Sequence, residues 1–183
     1  MTCFDKSKKN NYGYTLIELI VVIAIMSIFT GGASLGISLL FSKDAANCAT
    51  KLNDAIYKTR MDSMSKTGKY ELTVDNADPA NKAVIALDGT TVDTVYLDGT
   101  NTTKKTTVSV KFVTESNPSG QSLTMPLNIE FDKAKGNVAF DIDGDGSNDD
   151  GIIVFEIQAV RGGRESKVQL VTATGKHTIG EFE

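Results

Sequence analysis

Two stretches of this chain carry side chains whose types and spacing could do chemistry. The first is Gly13-Tyr14-Thr15-Leu16-Ile17-Glu18, which opens an apolar run reaching Phe41. Glu18 is the only charged residue between Lys9 and Lys43, and it stands four residues after Tyr14. A carboxylate placed in such a run costs roughly 2.5–3.5 kcal/mol on insertion scales, so a functional reason is expected for it. Gly13 has no Cβ and lets an enzyme approach the backbone closely. Cutting after it would free a positively charged amine on Tyr14, one helical turn from Glu18. Where such helices pack side by side, the glutamate of one chain can face the amine of another. Each charge then needs its partner, because both stand in apolar surroundings. Such a pair would set the axial register between chains.

The second stretch is Asp141-Ile142-Asp143-Gly144-Asp145-Gly146-Ser147-Asn148-Asp149-Asp150. Asp141, Asp143, Asp145 and Gly146 occupy the first, third, fifth and sixth places of an EF-hand calcium loop, and Asp149 the ninth. Ile152 stands where the bidentate glutamate belongs, and strand-like segments flank the loop, so it is not an EF-hand. Loops of similar composition hold Ca2+ on other folds. The competing reading is an exposed acidic hairpin turn, for which Asp-Gly is a strong signal. Catalysis finds no support. His177 is the only histidine, and no nucleophile elbow, phosphate loop or paired-cysteine metal site is present. Carboxylates such as Glu71, Glu115 and Glu130 read as solvated strand positions. The chain is read as not an enzyme.

The elements that must position these groups follow from periodicity. A short polar leader, residues 1–13, holds three lysines and one aspartate. Its lysine excess is expected to stay on the cytoplasmic side and send the C-terminal bulk outward. Residues 14–41 are long enough for a membrane helix, which needs about 20 residues. Residues 42–67 keep helical spacing but become amphipathic, with Ala45, Cys48, Ala49, Leu52, Ala55 and Ile56 in one stripe. Gly68 is a good C-terminal stop. An unbroken helix from Tyr14 to Thr67 would be about 80 Å long.

From Lys69 the period becomes alternating, and residues 68–183 are expected to form a β-rich head. Candidate strands are Tyr70–Val74, Ala83–Leu87, Val92–Leu97, Thr106–Val113, Leu123–Phe131, Asn137–Ile142, Ile152–Ala159 and Lys167–Thr172, with a short piece at His177–Ile179. Pro126 is expected at an edge or bulge of its strand. One long helix followed by strands alone makes the fold class α+β, the helix packed on an antiparallel sheet.

The leader, Gly13, the sequence Tyr14-Thr15-Leu16-Ile17-Glu18 and the apolar helix together resemble the N-terminus of a type IV prepilin. Pilins, type II secretion pseudopilins and competence pseudopilins share that pattern. The resemblance implies a prepilin peptidase that cuts between Gly13 and Tyr14 and methylates the new N-terminus. It implies assembly through Thr15 and Glu18 with other pilin or pseudopilin subunits on an inner-membrane platform. It also implies a pilin-like fold and a final place in a cell-surface filament. Two competing readings are a secretory signal peptide cut within Thr30–Ser34 and an ordinary single-pass anchor. Further along, Ala45, Ala49, Leu52 and Arg60, then Phe131-Asp132, Gly136 and Gly175-Lys176, loosely resemble the GspH/FimT type of minor pseudopilin, a low-abundance subunit that primes or tips a filament.

Bulk properties agree with an exported, anchored domain. The formal net charge is −4, and the leader contributes +2 of its own, leaving about −6 on residues 14–183. That balance argues against a broad nucleic-acid-binding face. Cys3 would leave with the leader, so Cys48 would stay alone without an internal disulfide, in keeping with a single-membraned host. Two function classes remain. One is a structural filament subunit. The other is an anchored or tip-borne binding protein, acting through the acidic loop or the basic turn at Arg161 and Arg164.

Overall fold

The computed structural model describes residues 14–99, 102–142, 146–161 and 165–180, with the stretch 31–42 described through its backbone alone. Helix α1 runs from Leu16 to Ser65. Two compact units divide the chain, Met1–Ile37 and Ser38–Glu183.

In the first unit Thr15 caps the helix. Its Oγ1 accepts the Glu18 N–H at 3.3 Å, and its carbonyl accepts the Leu19 N–H at 3.2 Å. The first satisfies a donor that a helix start leaves unpaired, and the second is the first intrahelical bond. Every side chain from Tyr14 to Thr30 is exposed, including Leu16 at 78% and Ile17 at 72%.

In the second unit the helical stripe does what its spacing predicts. Ala45, Cys48, Ala49, Leu52, Ala55 and Ile56 are all buried, and small side chains dominate where the helix meets the strands. Gly68, at φ +104°, closes the helix. Ten strands follow: β1 (Tyr70–Asp75), β2 (Lys82–Leu87), β3 (Thr90–Tyr96), β4 (Thr106–Val113), β5 (Gln121–Leu123), β6 (Leu127–Phe131), β7 (Val138–Ala139), β8 (Ile152–Ala159), β9 (Ser166–Val171) and β10 (His177–Ile179).

They form two antiparallel sheets where the sequence suggests one. The orders are β3-β2-β1-β6-β7 and β10-β9-β8-β4-β5. The chain therefore crosses between sheets three times, after β3, after β5 and after β7. The expected strand Leu123–Phe131 is in fact two, β5 in one sheet and β6 in the other. Pro126 stands between them, neither at an edge nor in a bulge. It has no amide hydrogen to give a ladder, so it suits the passage between sheets better than either strand. The expected strand Asn137–Ile142 shrinks to Val138–Ala139, since Asp141 and Ile142 turn into the acidic loop.

Alternation sets the core. β1, β4 and β6 bury every second residue, as half-covered strands do. β8, central in its sheet, buries Ile153, Val154 and Phe155 in succession, so both of its faces are covered at Val154 while Gln158 on the same face is exposed. Glu71 and Glu130 face each other across β1 and β6, and like charges so placed repel. Lys69 lies between them at 2.8 and 2.9 Å. Its two partners hold its ammonium above the usual range, and it lowers the Glu71 carboxyl. These glutamates are ion-paired rather than merely solvated.

Candidate functional site

The structure places the sequence-predicted residues in separate groups. Tyr14, Thr15 and Glu18 lie at the start of α1, all exposed. Gly13 falls outside the described residues. Thr15-Xaa-Xaa-Glu18 is the sequence form of a capping box, with Thr15 as the cap and Glu18 three residues on. That local role was legible in the sequence and is missed when Glu18 is considered only as an assembly charge. Glu18 also stands in the first turn, where a negative charge meets the positive end of the helix dipole. The carboxylate is therefore compatible with the monomeric helix and still open to a partner.

Asp143 and Asp145 of the acidic loop lie outside the described residues. Of its described carboxylates, Asp141 accepts the Gly146 N–H at 2.9 Å and Asp149 accepts the Ile142 N–H at 2.8 Å. Among the described residues no group of three or more His, Cys, Asp or Glu side chains converges as a metal site would require. The loop is anchored at its far end by buried Thr172. Its Oγ1 accepts the Gly151 N–H at 2.9 Å and meets the Asp149 carbonyl at 2.8 Å. Of the basic turn, Arg161 is exposed and Arg164 lies outside the described residues.

Arg60, Gly136 and Gly175 come together at one place. From α1, Arg60 donates through Nε to the Gly136 carbonyl at 2.9 Å and through Nη2 to the Thr174 carbonyl at 3.0 Å. One carbonyl belongs to the β6–β7 turn and the other to the β9–β10 turn, so a single guanidinium ties both sheets to the helix. Charge-assisted bonds of this kind contribute about 1.5–3 kcal/mol each. His177 follows in β10, with its ring 6.0 Å from that of Tyr57 and its Nδ1 3.3 Å from the Gly175 carbonyl.

A second buried network was not legible from sequence. Asp98, which precedes Gly99 just after β3, is only 7% exposed. It accepts Asn81 Nδ2 at 2.9 Å and Thr106 Oγ1 at 2.7 Å. Asn81 Nδ2 also donates to the Thr106 carbonyl at 2.6 Å. These bonds fasten the first crossing between sheets. Burial pushes the Cys48 thiol beside them up to about 11, against a smaller lowering by Thr106. Cys48 is thus a protonated core residue, not a nucleophile.

Among the described residues no helix is long and apolar enough to cross a membrane. The comparisons with known proteins bear on the same end of the chain. Residues 8–34 match the family model of the prokaryotic N-terminal methylation motif, the type IV prepilin-type signal. Comparison with curated proteins and with solved structures gives no match.

Proposed function

We propose that this chain is a type IV pilin-like or pseudopilin precursor, cut by a prepilin peptidase after Gly13 and assembled into a surface filament. One observation carries the reading. From Leu16 onward the matched segment 8–34 lies in a capped helix whose apolar side chains from Leu16 to Phe29 are all exposed. Side chains of this size gain about 1.5–3 kcal/mol each on burial. Such a helix needs lipid before assembly and other subunits after it. With the apolar sequence up to Phe41 included, it reaches the length of a single span. The head would then lie outside the membrane, and the assembly platform and neighbouring subunits would be its partners. A minor-subunit role is supported by the meeting of Arg60, Gly136 and Gly175, residues that carry the GspH/FimT resemblance.

Intact mass after co-expression with a prepilin peptidase tests this. The expected result is loss of residues 1–13 and gain of one methyl group. A cut near Ala33 would instead make the chain a secreted protein, and an uncut chain would make it a plain anchor.

Calcium at Asp141, Asp143, Asp145 and Asp149 is the expectation attached to the head. Calorimetric titration of the processed chain should then give heat and a Tm increase that chelator reverses. A flat titration with no change in Tm removes the ion from the account.

A further inference from the structure

Lys105 immediately precedes β4 and Arg161 closely follows β8, and the two strand ends are neighbours, with Thr106 opposite Ala159. The Val160 N–H donates to the Lys105 carbonyl at 2.9 Å, so both basic positions belong to one hydrogen-bonded surface. A crevice of about 170 Å³ lies between this surface and the helix, lined by Lys104, Lys105, Arg161 and Asp44. Lys105 and Arg161 are exposed, and Lys104 pairs with Asp78 at 3.5 Å.

The position of Asp44 fixes where this surface must be. Asp44 stands three residues beyond Phe41, the last residue of the apolar run. Three residues of chain span at most about 10 Å. If the apolar run lies in a bilayer, the crevice at Asp44 lies at the headgroups whatever the tilt of the head. Residues 14–183 carry a net negative charge, so a cationic surface at this place is not explained by composition. It fits a negatively charged partner.

We propose that the surface of Lys105 and Arg161 seats the head on anionic lipid headgroups while the subunit waits in the membrane. The inference rests on the anchored-subunit reading above. Each cation near an anionic surface is worth about a five-fold change in occupancy of the seated state. The seat would hold the head in one orientation until assembly lifts it off.

The test uses the full processed chain in nanodiscs of phosphatidylglycerol or of phosphatidylcholine. Amide hydrogen exchange is followed in the segments around Lys105 and Arg161. Exchange there is expected to be about five-fold slower or more in phosphatidylglycerol. The difference should vanish in the double variant Lys105→Glu, Arg161→Glu, and should shrink in high salt as screening predicts. Equal exchange in both lipids, or a lipid difference that survives the double variant, overturns the seat while leaving the anchor intact. Failure of the chain to enter nanodiscs of either lipid overturns the anchor and the seat together.

Discussion

Gly175→Ala is expected to lower Tm by roughly 5–20 °C, the largest loss from a methyl group added at any described glycine of the head. A Cβ at Gly175 would lie 1.8 Å from the Gly136 carbonyl oxygen and 2.8 Å from Arg60 Nε. The backbone there has φ +64°, which costs a side-chain-bearing residue about 1–2 kcal/mol. Overpacking a close contact adds about 1–3 kcal/mol. Neither turn can yield freely, because Arg60 holds both of their carbonyls. Gly89→Ala separates the two causes. Gly89 also has positive φ, at +79°, but nothing lies within 4 Å of its Cβ position. Its loss should be confined to about 1–2 kcal/mol. Thermal unfolding of both variants checks the account, and equal losses would show that the Gly175–Gly136 contact matters little.

Glu18→Ala is expected to leave processing intact and to abolish incorporation into filaments. In the isolated helix the carboxylate contributes only through the first turn, about 0.3–1 kcal/mol in an exposed setting. The helix keeps its Thr15 cap in the variant, so local structure should survive. In an assembled apolar bundle, by contrast, the processed amine on Tyr14 would lose its counter-charge, and breaking such a pair costs about 3–5 kcal/mol. Repeated at every subunit, that penalty stops growth. Thr15→Ala separates the cap from the charge. It removes the cap, a loss of about 1 kcal/mol, but keeps the Glu18 carboxylate, so incorporation should fall less than in Glu18→Ala. Intact mass reports processing, and sedimentation of filaments reports assembly. Filaments of Glu18→Ala at the ordinary yield would remove the amine–glutamate pairing from the mechanism.

The sequence by itself determined what depends on neighbours along the chain. The helical stripe from Ala45 to Ile56, the stop at Gly68 and the bounds of β4 and β8 follow from local periodicity and turn residues. The N-terminal signal was legible for the same reason, since leader charge, Gly13 and the spacing to Glu18 all lie in one short segment. Whether a strand joins one sheet or another depends on partners distant in sequence, which periodicity does not encode. Alternation therefore could not show that Leu123–Phe131 is two strands, nor that the head has two sheets. Nothing local marks Asp98 and Thr106 as buried, because their burial depends on Asn81 and α1 meeting them. Arg60, Gly136 and Gly175 stood out as separate residues. Only tertiary structure made them a single contact, because folding brings two hairpin turns under one guanidinium.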